Sequence, residues 1–279
     1  MSAVPATQVT GPSALGGSPR RFLYLSATLA VTEFKLRFFG SVLGYLWQLV
    51  RPLLLFGVLY FVFTEFVKIG EAVPHYPVVL LANIVLYTFF ADGTGAVNSM
   101  VEHEGLVRKI QFPRMAVPVS VVLTASFNLV LNLLVVLGFA LASGVEPRWS
   151  WLEAPVLIAL LAILVIGLAM LLSALYVRFR DVKPIWEVLL QLAFYATPII
   201  YAVETIDISQ RVREAIMLNP LAVIVQQFRH AVIDPGAPSA AAAAGGSEML
   251  LIPGALLFGI AALGYWYFDR EAPRMAEDL

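Results

Sequence analysis

An all-α membrane protein is the fold class this sequence predicts, and three observations predict it. Six apolar stretches are each long enough, or nearly so, to cross a hydrocarbon core, which takes about 20 apolar residues. Of the 279 residues, 60% are hydrophobic and only 13% charged, a balance that a water-soluble domain of this length would not tolerate. Lys and Arg fall mostly on every second connection between the stretches. The expected spans are 42–66, 78–100, 115–142, 155–177, 185–203 and 250–268.

Orientation follows from the basic residues, because positive loops are retained in the cytoplasm. One side holds Arg20, Arg21, Lys35, Arg37 and Arg51, then Arg108, Lys109 and Arg114, then Arg178, Arg180 and Lys183, then Arg270 and Arg274. The other holds only Lys68, Arg148, Arg211, Arg213 and Arg229. Both termini are therefore predicted to be cytoplasmic.

Residues 1–21 are rich in Ala, Gly, Pro, Ser and Thr and read as a disordered cytoplasmic tail; residues 22–279 form one transmembrane domain. From Phe22 an amphipathic pattern begins. Phe22, Leu25, Leu29, Leu36 and Phe39 share one face, with Ser26, Ala30, Glu33 and Arg37 opposite, which predicts a helix lying in the inner interface. Glu33 and Arg37, at i,i+4, read as a solvated pair. Arg51, two turns inside the first span, either snorkels to the interface or faces a hydrated cleft and holds phosphate, which a guanidinium suits. Asp92 lies inside the second span, where a carboxylate must face protein or water; packing or lining a cavity is its expected role.

Val101 to Arg114 reads V-E-H-E-G-L-V-R-K-I-Q-F-P-R, either an ordinary positive-inside loop or a brief helix that docks on a partner and stops at Pro113. The turn V-R-F-R-D-V-K-P from Val177 reads as topological anchoring, with Lys183 and Glu187 as another i,i+4 pair. Between Glu204 and Glu248 two helical patterns occur. The second opens with Asn219 as N-cap and Pro220 at the first helical position, and Leu221, Ile224, Val225, Phe228 and Val232 make an apolar stripe. A re-entrant helical pair in the outer leaflet is predicted, tolerable where protein or water satisfies its turn. His230 reads as an exposed polar residue and the Ala-rich run 237–246 as a low-complexity linker.

Function classes are excluded by what is missing. There is no cysteine, so disulfides, thiolate nucleophiles and Cys-ligated metals drop out. A net charge of −1 gives no reason to expect nucleic acid. No metal or nucleophile constellation is visible, and none of the lysines at 35, 68, 109 and 183 follows a glycine, so the phosphate-cradling loop G-x-x-x-x-G-K-[ST] is absent. A carrier of this kind that needs ATP must borrow it from another polypeptide.

Several segments in order match one pattern: G-S-V-L-G-Y-L-W-Q-L-V-R-P-L from Gly40, L-V-R-K-I-Q-F-P-R-M-A-V-P from Leu106, R-F-R-D-V from Arg178, Y-A-T-P-I-I-Y from Tyr195 and L-N-P-L from Leu218. Over about residues 22–268 the chain resembles the permease subunits of ABC exporters for lipid-linked cell-surface polysaccharide, the O-antigen and teichoic acid export type. The resemblance implies a homodimer of six-span subunits bound to two copies of a separate P-loop ATPase, which would hold ATP and Mg, with no cofactor in this chain. The cargo it implies is a glycan on a polyprenyl diphosphate, moved to the outer face of a bacterial plasma membrane. Alternatives are a permease for a drug or small lipid and, further off, a polytopic membrane transferase.

The resemblance also assigns roles. Glu102, Glu104, Arg108, Lys109, Phe112, Pro113 and Arg114 belong to the segment that seats in the ATPase. Residues 206–233, with Asn219, Pro220, Leu221, Ile224 and Phe228, supply an external gate with a displaceable apolar stripe. A glycan is expensive to strip of water, so it needs a hydrated pore, and aromatic faces suit sugar rings. Tyr45, Tyr60, Phe63, Tyr195 and Tyr201 on the first and fifth spans are the candidates, and Arg37 and Arg51 are expected to receive the lipid diphosphate.

Overall fold

A computed structural model describes residues 15, 18–38, 44–68, 73–107, 112–205 and 208–275. Most of the expected tail, the loop residues Arg108 and Lys109, and the side chains of Arg37 and Tyr45 lie outside the described residues. Helices account for every regular element among them: α1 (Pro19–Phe38), α2 (Trp47–Phe61, continued by a π turn over Val62–Phe66), α3 (Tyr76–Thr94), the short α4 (Ser99–Glu102) and α5 (Glu104–Val107), α6 (Ala116–Ala142), α7 (Glu153–Arg178), α8 (Val182–Ala196), α9 (Gln210–Met217), α10 (Pro220–Phe228), α11 (Ala240–Ala243) and α12 (Leu251–Glu271). Five helices are long and apolar enough to cross a membrane, Trp47–Phe66, Tyr76–Glu102, Ala116–Ala142, Trp149–Arg178 and Ser247–Glu271, and α9 with α10 onward to Ile233 forms a pair bent by 100°.

Five of the six expected spans are thus present as long helices, and the fifth differs. Its helix α8 has 15 residues, about 22 Å at 1.5 Å per residue, short of a core about 30 Å thick. It stops because Thr197 precedes Pro198, and the residue before a proline is driven out of the α region; Thr197 is extended, at ψ 141°. The following backbone, 197–200, is buried. At membrane depth such backbone needs protein donors, and α3 supplies them: Asn83 Nδ2 donates to Pro198 O (3.2 Å) and Ile199 O (3.1 Å), and the Tyr76 hydroxyl to Ile200 O at 2.8 Å.

Helix α3 is the hub. It contacts α2, α6 and α7, and its Val78, Leu80, Ile84 and Leu86 are fully buried. Helices α7 and α12 approach closely where small residues face each other: a Cβ on Gly264 would stand 2.0 Å from Gly167 O, and one on Gly167 2.5 Å from Ala261 Cα. Contact of this kind is what associates helices where lipid removes the hydrophobic drive.

Helix α1 corrects the reading of its own faces. It begins at Pro19, inside the stretch expected to be tail, and its buried positions among the described side chains are Ser26 and Ala30, the latter meeting Thr124 of α6, while Leu23, Tyr24 and Leu36 are exposed. Small residues permit the approach; the Leu-rich positions are divided between an outward face and a cluster in which half-buried Phe22, Leu25 and Leu29 meet Met100, Phe268 and Met275. The Ala-rich run is likewise not a linker. Ser239 Oγ caps α11 by accepting from Ala242 N at 3.2 Å, and Ala240, Ala243 and Ala244 are buried, where larger side chains would hold the outer helices apart.

Candidate functional site

The polar groups of this apolar protein gather in three places. At the end carrying α4 and α5, Glu33 of α1 meets His103, which lies between α4 and α5, with Oε1 3.0 Å from Nε2. The other ring nitrogen of His103 is 2.9 Å from Ser99 O. The hydrogen bond to Glu33 raises the His103 pKa most, against the opposing effect of burial. This pair opens on a cleft of about 540 Å³ whose lining includes Glu33, Asp92, Ser99, Glu102 and His103. Glu33 is thus turned to a partner on another element, while the Arg37 side chain of the expected Glu33–Arg37 pair lies outside the described residues.

A second cleft, about 500 Å³, is lined by Trp47, Gln48, Arg51, Leu54 and Asp92. Asp92 lines both clefts, as a cavity-lining role for it requires. Arg51 is exposed. Pro52 inside α2 removes the donor that would reach Gln48 O, and Asn132 Nδ2 of α6 donates to that oxygen at 3.3 Å. Ser120, Thr124, Asn128 and Asn132 are all buried on one stripe of α6, spaced by four. Thr124 Oγ1 donates to Ala30 O of α1 at 3.3 Å, so the stripe grips both neighbouring helices through their backbones.

The third place is the end where α9 turns into α10. Asn219 Oδ1 accepts from Leu221 N at 3.0 Å, with Pro220 next to it, which is the start signal read from the sequence. Its amide donates to Thr197 Oγ1 at 3.0 Å, tying the bent pair to the break after α8. Beyond α10 a π turn over Arg229–Ile233 buries Arg229 between Glu204 at 2.6 Å and Asp234 at 3.4 Å. His230 is not an exposed residue: it is half-buried, with Nδ1 2.8 Å from Ala237 O.

The remaining sequence-predicted residues divide. Glu102 is exposed and Glu104 half-buried, whereas Phe112, Pro113 and Arg114 are buried, Phe112 in a cluster with Val107, Met170 and Phe268. The C-terminal part of the segment is thus enclosed by this chain itself and not presented outward. Tyr60 stacks on Phe56 (centroids 5.6 Å apart) and both Tyr60 and Phe63 pack half-buried against the core. Tyr195 is 67% exposed, and the half-buried Tyr201 donates its hydroxyl to Tyr195 O at 3.3 Å. Leu221, Ile224 and Phe228 are at most 2% exposed, within the main core alongside Leu161 and Ile84. A stripe so enclosed is not loosely held, so easy displacement of it is corrected. Sequence reading missed His103, the four-spaced stripe of α6 and the Arg229 clamp; only the stripe had a visible signal, its regular spacing.

A multi-pass helical membrane protein, built round one enclosed span and carrying polar clefts beside an exposed first span, is the class that this architecture defines. The chain belongs to the ABC-2 type transporter family, whose model matches residues 24–233. It is a transporter subunit, and membership implies an ATPase subunit as partner. It is 31% identical over 206 residues to the O-antigen export system permease protein RfbA of Myxococcus xanthus, covering 74% of this chain and 78% of that one. It is 30% identical over 199 residues to a protein of the same name from Klebsiella pneumoniae, with coverage of 71% and 75%.

Proposed function

We infer that this chain is the permease subunit of an ATP-driven exporter that moves polyprenyl-diphosphate-linked polysaccharide out across a bacterial plasma membrane. The observation that carries this reading is the 30–31% identity to O-antigen export permeases over most of both chains. It works as a homodimer with two ATPase subunits, both termini in the cytoplasm. Support for the dimer comes from α2 and α8, which expose Leu54, Val58 and Phe61 on one and Ile185, Val188, Leu192 and Tyr195 on the other. Faces of that kind need lipid or a second copy.

Within this reading Glu102 and Glu104 present the contact to the ATPase together with Arg108 and Lys109, and Phe112, Pro113 and Arg114 anchor that contact in the core. Arg51 and Arg37 receive the diphosphate at the cytoplasmic end, where Arg51 lines a cleft of about 500 Å³. Tyr45, Tyr60, Phe63, Tyr195 and Tyr201 line the path of the glycan. The α9–α10 pair closes the outer side, moving as a unit about Asn219 and Pro220, with Leu221, Ile224 and Phe228 holding it to the core.

Deleting the gene in its host and following surface polysaccharide tests the function. Surface glycan should disappear while the polyprenyl-diphosphate-linked polymer accumulates inside. Unchanged surface glycan would overturn the reading. For the lipid site, Arg51→Ala should weaken binding of a polyprenyl diphosphate sugar by about 1.5–3 kcal/mol, the worth of a charge-assisted contact, with Arg51→Lys between it and the parent.

A further inference from the structure

We propose that Glu33 and His103 form a positioning strut that carries movement of the 102–114 segment into α1 and from there to α2 and the cleft beside Arg51. The proposal rests on the reading of that segment as the ATPase contact. It deepens that reading by naming the residues through which the contact reaches the membrane.

The geometry of His103 carries the argument. The residue follows α4 and precedes α5, its backbone N–H donating to Ser99 O at 3.0 Å. Its Nδ1 is turned back on the same oxygen, 2.9 Å away, which aims Nε2 outward at Glu33 Oε1, 3.0 Å off. A carbonyl and a carboxylate are both acceptors, and an imidazole satisfies both only with a proton on each nitrogen. The strut in this geometry is therefore an imidazolium clasped by a carboxylate, a charge-assisted contact.

Among the described residues α1 is also tied to α6, with Thr124 Oγ1 donating to Ala30 O at 3.3 Å; Ser120 Oγ, 3.5 Å from Glu33 Oε1, is engaged more closely with Val117 O at 2.7 Å. After α1 the chain leads into α2, the span with the fewest buried residues. The strut thus acts on the helix that precedes, in sequence, the span with the least packing to resist movement.

The charged groups that share the cleft with His103 among the described residues are Glu33 on α1, Asp92 on α3 and Glu102 on its own segment; α6 contributes uncharged Val121 and Thr124, and no described Lys or Arg lines it. Of these, Glu33 and Glu102 favour the proton on His103. Raising the pH through the elevated pKa of His103 removes one of the two donors and slackens the strut.

The test uses the full permease–ATPase complex in proteoliposomes loaded with the polyprenyl-diphosphate-linked glycan, and reads glycan exported per ATP hydrolysed against pH. The parent ratio should fall as pH rises through the His103 transition. Glu33→Gln and His103→Gln should each lower the ratio about fivefold or more, as loss of a charged contact would, and flatten the profile. Because the chain has no cysteine, Glu33→Cys with His103→Cys provides a unique pair. Joining it with a short bis-maleimide should restore the ratio to within about twofold of the parent, which repair of local folding alone would not do. A parent-like ratio and profile in Glu33→Gln, or a linked pair as poor as the unlinked one, overturns the strut. The segment itself is tested apart by Glu102→Lys with Glu104→Lys: undiminished co-purification of the ATPase there sinks the coupling reading, whatever Glu33 does.

Discussion

The spans Trp47–Phe66 and Tyr76–Glu102 stand side by side and both are apolar enough to cross a membrane, yet 6% of the first and 78% of the second is buried. The difference lies in what they hold. The second carries Asn83, Tyr76, Tyr87 and Thr94, each hydrogen-bonded across to the α8 region: Tyr87 to Leu190 O, Trp186 Nε1 to Thr94 Oγ1 at 3.2 Å, and the others to the broken backbone after Pro198. The first has Leu and Phe on most of its surface; one amide from α6 reaches its backbone, and Phe56, Leu59, Tyr60 and Phe63 pack half-buried against the core. In a membrane, apolar surface does not draw a helix inward; polar contacts and close packing do. The enclosed span is the frame and the exposed one is free to face lipid or another subunit.

The sharpest way to break this comparison is to damage the frame. Phe228→Ala empties a buried site against the α3 core and should cost about 3–5 kcal/mol, lowering the thermal midpoint in detergent; a midpoint equal to the parent would return Phe228 to the role of a displaceable stripe. Asn83→Leu leaves two buried carbonyls without their donor, with an expected loss of about 1–3 kcal/mol, read by hydrogen exchange as faster opening of residues 197–200. If that segment exchanges at the parent rate, another donor holds it.

His103 gives a smaller effect whose sign is fixed. Its folded pKa is raised, so its stabilisation is complete below the unfolded value and is lost as pH rises through the folded one. Thermal midpoints should therefore fall on going from mildly acidic to alkaline buffer in the parent and fall less in Glu33→Gln. The smallest effect belongs to the exposed span: Leu54→Ala with Val58→Ala should change the stability of the single subunit by no more than about 0.5 kcal/mol each. Their effect should appear in subunit association, measured by single-molecule photobleaching in bilayers. A large drop in midpoint with association unchanged would mean that α2 is held by its own subunit after all.

The lengths of five spans and the start of α10 were legible because each depends on local sequence: an apolar run, or Asn followed by Pro. The end of α8 was legible too, in Thr197–Pro198, but the apolar run through Tyr201 masked the break, since hydropathy is blind to backbone. Which span sits in the middle was not legible, because burial in a membrane is decided by partners far along the chain; Asn83 meets its carbonyls more than a hundred residues away. Glu33 and His103 had no signal linking them. The alanines before Gly245 were ambiguous by nature: short side chains serve a linker and a tight seam equally well, and here they serve the seam. The run of charge drew attention to the 102–114 segment, while burial of Phe112 depended on α7 and α12, which no local reading contains.

The amide of Asn132 on the oxygen of Gln48 has a consequence for how this protein can change over generations. Across to α2, the amide at 132 answers an oxygen that a ring at position 52 leaves without its usual donor. A lineage that replaced Pro52 with alanine would regain the donor within α2 and release position 132 to become leucine; one that lost Asn132 first would carry an unanswered carbonyl in the membrane. The two sites should therefore be inherited together and be replaced in that order, proline before asparagine, so that the sequences of distant relatives hold a record of a contact between two helices.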